Sequence, residues 1–252
     1  MLAALQRQLI YFPSKGHTDD LSGLASRIGL QAWHDETGMG IGWKSTGKRH
    51  APNRMIVFHG NAGYALDRHY FVTGLQAVDD KWDVFLFEYP GYGAREGTTS
   101  EVNFKTTATQ ALGTLLAADS RPVFILGESL GSGIASYLAA SFPQQVAGLL
   151  LVTPFSSLPD VAAHHYPFLP VRILLQERYD SMDALSHYRG PVAFMLAGRD
   201  KVVTTELGRQ LYDSYHGPKW LHVEEHAGHN SLPYDPGEPW WLEVSNFLTA
   251  AH

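Results

Sequence analysis

The chain is 252 residues long, 44% hydrophobic and 17% charged, a composition typical of a globular protein and not of a disordered one. The absence of cysteine excludes disulfides, thiolate metal sites and a cysteine nucleophile. With 19 Lys and Arg against 25 Asp and Glu, the formal net charge is −6, which argues against a protein that binds the nucleic-acid backbone through a basic face.

The segment Met1–Ile10 predicts a short helix with apolar side chains at Leu2, Leu5 and Leu9. It lacks the basic start, apolar run and cleavage site of a signal peptide, and no run reaches the roughly 18 apolar residues of a membrane span. The sequence favours an amphipathic helix that packs on the body over the remnant of a truncated membrane anchor. We expect a cytoplasmic or periplasmic protein, with membrane association only through such a missing anchor. The oligomeric state is left open.

Two extended pieces, Leu30–His34 and Gly40–Ser45, flank a glycine-containing turn and predict an antiparallel hairpin. Short, uniformly apolar runs then recur along the chain, at Met55–Phe58, Val84–Phe87, Val123–Leu126, Leu149–Val152 and Val192–Leu196. Such runs are typical of strands that are covered on both faces, as in a parallel sheet between helices. A last strand is predicted at Trp220–Val223.

The segments between these runs are long enough for crossover helices, which we predict at Ser100–Ala118 and Ser129–Ser141, with a closing helix at Trp240–Ala250. Alternating strands and helices predict an α/β fold with a mostly parallel central sheet of about eight strands and helices on both faces. A proline- and aromatic-rich stretch at about 155–187 is longer than an ordinary loop and predicts a short cap. We expect residues 1–252 to form one domain.

The sharpest motif is Gly127-Glu128-Ser129-Leu130-Gly131, a G-x-S-x-G sequence between a predicted strand and a predicted helix. A strand that turns at once into a helix holds the corner serine in a strained backbone conformation. Glycines two residues before and after the serine let the two segments approach closely. We interpret Ser129 as a nucleophile whose hydroxyl points into a crevice. The alternative is that the two glycines only permit a tight turn.

A second glycine-rich loop, HGNAG at residues 59–63, follows the predicted strand that ends at Phe58. Acyl transfer needs preorganised N–H groups about 3 Å from the developing oxyanion. We predict that the backbone N–H groups of Asn61 and Leu130 form this oxyanion hole, with Ala62 as the alternative to Asn61. An ordinary strand-to-helix turn is the competing interpretation of the loop.

Asp200 follows the strand predicted at 192–196, and His229 follows the strand predicted at 220–223. A serine hydroxyl is a weak nucleophile until a base takes its proton, and imidazole suits that task because its ordinary pKa is about 6.5. A carboxylate holds the imidazole in the correct tautomer. The order serine, aspartate, histidine, each after a predicted strand, predicts a catalytic triad of Ser129, Asp200 and His229.

Other side chains carry weaker signals. Glu128 and Glu88 are each interpreted as hydrogen-bonding or capping residues, and the His164-His165 pair has no adjacent carboxylate spacing that indicates a metal site. The chain has no H-E-x-x-H, Walker or Rossmann motif, so we expect no cofactor and no metal. Aromatic residues on loops near the predicted crevice are candidates for an acyl pocket: Tyr64, Phe155, Tyr166, Phe168 and Tyr234.

Four segments together resemble a known family: residues 8–15 (QLIYFPSK), 59–63 (HGNAG), 88–93 (EYPGYG) and 166–171 (YPFLPV). They are similar to the entry motif, oxyanion loop, D-Y-R-G-Y-G turn and cap segment of the Bem46-like group in the α/β-hydrolase superfamily, which includes the ABHD13 and ABHD17 type proteins. Glu88 and Pro90 depart from the aspartate and arginine usual in that turn. The resemblance covers nearly the whole chain and implies a triad on Ser129, Asp200 and His229.

The family resemblance implies hydrolysis of an ester, thioester or amide, and some members remove acyl groups from proteins. From the residues and the resemblance we expect a serine hydrolase that cleaves carboxylic esters or thioesters through an acyl-enzyme. The expected partner is a small-molecule or acyl-group substrate and not a nucleic acid. A peptidase or amidase with the same triad, and a non-catalytic protein that binds a small molecule on this fold, are the alternatives.

Overall fold

The computed structural model describes residues 2–46, 51–78 and 80–250, with side chains from residue 6 onward. Within these residues, eight strands form the main sheet in the order β8-β7-β6-β5-β3-β4-β2-β1. The strands are β1 Leu30–His34, β2 Gly40–Ser45, β3 Asn53–Phe58, β4 Trp82–Phe87, β5 Val123–Glu128, β6 Val146–Val152, β7 Val192–Ala197 and β8 Lys219–Glu224. β1 pairs with β2, and β2 with β4, in antiparallel fashion, whereas the remaining pairs are parallel. The predicted α/β fold with a mostly parallel sheet is therefore confirmed.

The helices lie on both faces of the sheet. They are α1 Leu2–Ile10, α2 Thr18–Arg27, α3 His69–Val78, α4 Glu101–Ala118, α5 Leu130–Ser141, α6 Leu158–His165, α7 Val171–Leu174, α8 Ser181–Ser186, α9 Thr205–Ser214 and α10 Pro239–Thr249. Every residue of β3, β4, β5 and β7 is buried. Successive side chains of β3 alternate between two apolar cores, with Ile56 and Phe58 in one and Met55 and Val57 in the other. Burial on both faces explains why these strands are uniformly apolar.

The sequence-based boundaries agree with the structure within one to three residues. The hairpin strands match as predicted, and Ser100 caps α4 by accepting a hydrogen bond from the Asn103 N–H at 3.1 Å. The stretch predicted as a cap holds α6, α7 and α8 between β6 and β7. Helices α2, α3 and α9 are absent from the sequence-based predictions.

The N-terminal segment forms the predicted helix α1, which is tied to the cap. The Gln6 side chain donates to the carbonyl oxygen of Leu174 at 2.8 Å, and Arg7 pairs with Glu177 at 2.8 Å. The prediction that Leu9 lies on a packed apolar face is wrong. Its side chain is 70% exposed because it points away from the body, whereas Ile10 packs on the core. The side chains of Leu2 and Leu5, which belong to the same prediction, lie outside the described part of the structure.

After α1 the chain runs beside the loop that follows β3. Phe12–Pro13 pairs in parallel with Ala62–Gly63, and the N–H of Ser14 donates to the carbonyl oxygen of Gly63 at 3.1 Å. The N-terminal segment therefore packs along one side of the loop that is predicted to bind the oxyanion. Across the described residues, none of the helices has the length and apolar character that a membrane span requires.

Candidate active site

Ser129 lies at the sharp junction of β5 and α5. Its backbone has φ 50° and ψ −115°, a conformation that residues with a side chain rarely adopt. A Cβ at Gly131 would overlap the carbonyl oxygen of Phe58 at the end of β3, and a Cβ at Gly127 would lie 2.5 Å from the carbonyl oxygen of Gly131. Both glycines are thus required by close backbone approach, which is the geometry expected of a nucleophile elbow.

The structure brings Ser129, His229 and Asp200 together, although they are far apart in the sequence. The Nε2 atom of His229 lies 3.0 Å from the Ser129 hydroxyl oxygen, and its Nδ1 atom lies 2.7 Å from Oδ2 of Asp200. A carboxylate only accepts hydrogen bonds, so Nδ1 carries the proton and Nε2 is free to accept from the serine hydroxyl. This arrangement has the geometry of a serine activated by a general base.

Asp200 is held rigidly in the loop after β7. Its Oδ1 atom accepts hydrogen bonds from the backbone N–H groups of Val202 at 2.8 Å and Val203 at 2.9 Å, which leaves Oδ2 for the imidazole. The residue is buried, with 8% of its surface exposed. Charged hydrogen bonds of this kind orient the carboxylate, and through it the ring of His229.

The loop after β3 holds Asn61 beside the elbow. The Asn61 side-chain amide donates to the carbonyl oxygen of Ile10, and its backbone and side-chain oxygens both accept from the Tyr92 hydroxyl, at 2.7 and 3.1 Å. The side chain is therefore committed to the scaffold, and a contribution to an oxyanion site would come from the backbone N–H. Leu130 is the first residue of α5, where a backbone N–H has no acceptor within the helix. The alternative donor Ala62 lies in the short pairing with Phe12.

Behind this loop, buried polar groups fix the backbone. His59 is 1% exposed and its Nε2 atom lies 3.1 Å from Glu88 Oε1. Glu88 also accepts from the N–H of Ala65 at 3.1 Å, so its carboxylate is hydrogen-bonded to both ends of the segment 59–65. The Tyr89 hydroxyl donates to the carbonyl oxygen of His59 at 3.0 Å.

A second buried carboxylate, Glu128, directly precedes the nucleophile. It accepts hydrogen bonds at 2.8 Å from the N–H of Gly60, from Nε of Arg68 and from the hydroxyl of Tyr70. Burial alone would raise the pKa of Glu128, but the Arg68 guanidinium and the hydrogen bonds around it lower that pKa below its ordinary value. A hydrogen-bonding role for Glu128 agrees with the expectation from the sequence, whereas its partners Arg68 and Tyr70 could not be found there because no motif links them to residue 128.

The five aromatic candidates for an acyl pocket lie in different surroundings. Phe155 is buried in the core, the ring of Tyr234 stacks on Tyr70 with centroids 4.4 Å apart, and Tyr64 is the N-cap of the 3-10 helix Ala65–Arg68. Tyr166 and Phe168 are exposed on the cap. A cavity of about 600 Å³ lies between α2, the β1–β2 hairpin and the turn at residues 94–97, and none of the five lines it. A shared acyl pocket therefore stays a prediction.

The two histidines of the cap end α6 and do not belong to a metal cluster. The ring of His165 hydrogen-bonds the carbonyl oxygen of Val202 at 2.8 Å through Nε2, and the ring of His164 packs edge-on against it. Residues 2–46, 51–78 and 80–250 contain no group of three or more potential His, Asp or Glu ligands.

Comparison with known proteins gives a consistent family assignment. A family model described as alpha/beta hydrolase fold matches residues 53–185. The uncharacterized protein Rv2307c of Mycobacterium tuberculosis is 34% identical over 97% of this chain and 87% of that protein. The lysophosphatidylserine lipase ABHD12 of Danio rerio is 26% identical over 72% of this chain and 52% of that protein. The protein bem46 of Schizosaccharomyces pombe is 26% identical over 59% of this chain and 52% of that protein. The predicted resemblance to Bem46-like α/β-hydrolases is thereby confirmed.

Among solved structures, the Pyrococcus furiosus esterase Pf2001 superposes with a TM-score of 0.70 and 14% identity, and the match covers 96% of this chain and 97% of that chain. At this low identity, the superposition shows that the two chains share a fold. It agrees with the strand order and with the helices found on both faces of the sheet.

The strained backbone of Ser129 gives a testable consequence for stability. Ser129→Gly and Ser129→Ala both remove the hydroxyl, but glycine tolerates φ 50° whereas alanine keeps the Cβ. We expect Ser129→Gly to exceed Ser129→Ala in free energy of unfolding by about 1 kcal/mol, measured by urea denaturation of both variants. Equal stability, or a more stable alanine variant, would show that the elbow is not strained.

Proposed function

We propose that this chain, which belongs to the α/β-hydrolase family, is a serine hydrolase that cleaves carboxylic esters or thioesters through an acyl-enzyme. One observation carries the proposal. The hydroxyl of Ser129, the imidazole of His229 and the carboxylate of Asp200 form one continuous chain of hydrogen bonds, with separations of 3.0 and 2.7 Å. No cofactor is needed for this chemistry, because the nucleophile, base and orienting carboxylate are all side chains.

In the proposed reaction, Ser129 Oγ attacks the substrate carbonyl while His229 Nε2 takes the hydroxyl proton. The imidazolium that forms is stabilised by Asp200, which is already oriented by two backbone N–H groups. Negative charge develops on the carbonyl oxygen, for which we propose the N–H groups of Leu130 and Asn61 as donors.

The tetrahedral intermediate then collapses. The bond to the leaving alcohol or thiol breaks, and His229 Nε2 returns the proton to that group, which leaves an acyl ester on Ser129. Water attacks this ester with His229 again as the base. The acid is released and the proton returns to Ser129 Oγ, so that atoms and charges balance over the cycle.

Two findings support an acyl ester over an amide as substrate. The similar proteins include a lysophosphatidylserine lipase and an esterase. The cap also exposes large apolar side chains on the same edge of the sheet as the elbow, with Phe168 97% and Ile173 85% exposed, which suits an amphiphilic substrate. A peptidase or amidase would use the same three residues, and a binding protein would not need them.

The first test concerns the nucleophile. Ser129→Ala is expected to lower ester hydrolysis by at least about 10³-fold and to abolish covalent labelling by a fluorophosphonate probe, because the attacking oxygen is removed. The control is Ser26→Ala, which removes an exposed hydroxyl on α2 and should change neither readout. Labelling of Ser129→Ala at the wild-type rate would contradict the proposal, and an unlabelled, inactive wild type would favour a non-catalytic binding protein.

The second test concerns the substrate class. We expect turnover of p-nitrophenyl esters and of a thioester with the same acyl chain, and at least about 10²-fold slower turnover of the matched anilide, because an amine is a poorer leaving group than a phenol or a thiol even when His229 protonates it. The measurement is kcat/KM for each compound over a series of acyl chain lengths. Anilide turnover equal to that of the ester would favour the amidase alternative.

A further inference from the structure

The buried carboxylate of Glu128 connects the two segments that the proposed reaction needs. Glu128 precedes Ser129 in the chain, and the N–H that it binds at 2.8 Å belongs to Gly60, which precedes Asn61. The contact therefore lies one residue from the nucleophile on one side and one residue from a proposed oxyanion donor on the other. A shift of either segment would have to break this hydrogen bond or carry the other segment with it.

The Arg68 guanidinium pairs with Glu128 and lies close to the backbone of the same loop. Its Nε atom pairs with Glu128 Oε2 at 2.8 Å, and both groups are largely buried. A Cβ at Gly60 would meet Glu128 Oε2 at 3.1 Å and Arg68 Nη2 at 3.3 Å, so the backbone of the loop rests directly on the ion pair. Burial of the two charges is tolerated because they neutralise each other and are hydrogen-bonded.

The same carboxylate also reaches the segment that follows His229. The Tyr70 hydroxyl donates to Glu128 Oε1 at 2.8 Å, and the Tyr70 ring stacks on Tyr234 with centroids 4.4 Å apart and planes 16° from parallel. Tyr234 follows His229 by five residues. One side chain is thus linked to the elbow, to the oxyanion loop and, through Tyr70, to the histidine loop.

We propose that Glu128 is a positioning residue that sets the distance between Ser129 and the oxyanion donor of Asn61. This inference rests on the proposed function, and it adds a specific role for a residue that touches no substrate. Oxyanion donors act only when they lie about 3 Å from the developing charge, so an error of about 1 Å in the loop is costly. A fixed hydrogen bond between the two adjacent residues prevents that error.

The central experiment is Glu128→Gln. The amide keeps the volume but removes the negative charge that pairs with Arg68. The Gly60 N–H and Arg68 Nε both donate to Oε2, so they would then share a neutral amide oxygen, which is a weaker acceptor than the carboxylate, while the NH₂ group faces the Tyr70 hydroxyl. We expect kcat to fall by about 10- to 100-fold with KM changed by less than about twofold, because the loss falls on the transition state and not on substrate binding. Fluorophosphonate labelling of Ser129 should slow but not disappear.

The matched control removes a buried carboxylate from the opposite end of the sheet. Asp83, at the start of β4, pairs with Arg121 at 3.3 Å and is 7% exposed. Asp83→Asn is expected to lower the free energy of unfolding while leaving kcat within about twofold of wild type, because it breaks a buried ion pair far from the loop. Assays are run at a temperature at which circular dichroism shows each variant folded.

A second readout separates positioning from general destabilisation. An alkyl trifluoromethyl ketone adds to an activated serine and places an oxyanion in the hole, whereas the corresponding non-hydrolysable ether resembles only the bound substrate. In Glu128→Gln, the inhibition constant of the ketone should rise by the same factor by which kcat/KM falls, and that of the ether should stay unchanged. Tyr70→Phe, which leaves the ion pair intact, should show a smaller, few-fold loss in the same proportion.

Each outcome decides the inference. Proportional losses in kcat/KM and ketone affinity support it, in Glu128→Gln or, if that variant fails to fold, in Tyr70→Phe. Wild-type kinetics in the folded variant, a change in KM alone, or a loss no larger than that of Asp83→Asn overturns it while the proposed function stands. A wild-type protein that neither hydrolyses esters nor reacts with the fluorophosphonate overturns the proposed function and, with it, this inference.

Discussion

The close approach of Gly131 to the carbonyl oxygen of Phe58 is the constraint on which the site depends. It presses the first turn of α5 against the end of β3, and no residue with a Cβ fits there. Because β3 and β5 are neighbours in the parallel sheet, this contact places the serine at the end of one strand beside the loop that leaves the other. The catalytic geometry that we propose is a consequence of that packing, since both loops leave the carboxyl edge of the same sheet.

Backbone packing alone does not fix the loop after β3, and buried polar side chains also hold it through hydrogen bonds to its backbone. Glu88 and Glu128 approach the segment 59–65 from different parts of the chain, and each accepts a backbone N–H from it. Burying a carboxylate is costly unless it is paired and hydrogen-bonded, and Arg68 meets that need for Glu128. The site thus combines a rigid sheet with buried carboxylates that hold the loop after β3, which is the preorganisation that the proposed catalysis requires.

Much of the fold could be predicted because its strands are buried on both faces and are therefore uniformly apolar. The predicted ends were short where a strand begins or ends in polar residues, as at Asn53, Arg54 and Lys219. Ser129, Asp200 and His229 could be placed together because each follows a strand, and parallel strands end at one edge. The contacts between Glu128 and Arg68 and between Tyr70 and Tyr234 could not be predicted, since they join residues 60 and 164 positions apart without a pattern. Whether the five aromatic candidates share a pocket cannot be predicted from strand order, because loop paths decide where they lie.

The central claim is that Ser129 becomes acylated during turnover, and rapid acid quenching followed by mass spectrometry tests it most directly. The protein is mixed with an excess of a p-nitrophenyl ester, quenched in the first turnovers and digested. The account predicts a mass increase equal to the acyl group on the peptide that contains Ser129, at a level that decays once the substrate is consumed. Hydrolysis that proceeds with the acyl group on another residue would contradict it.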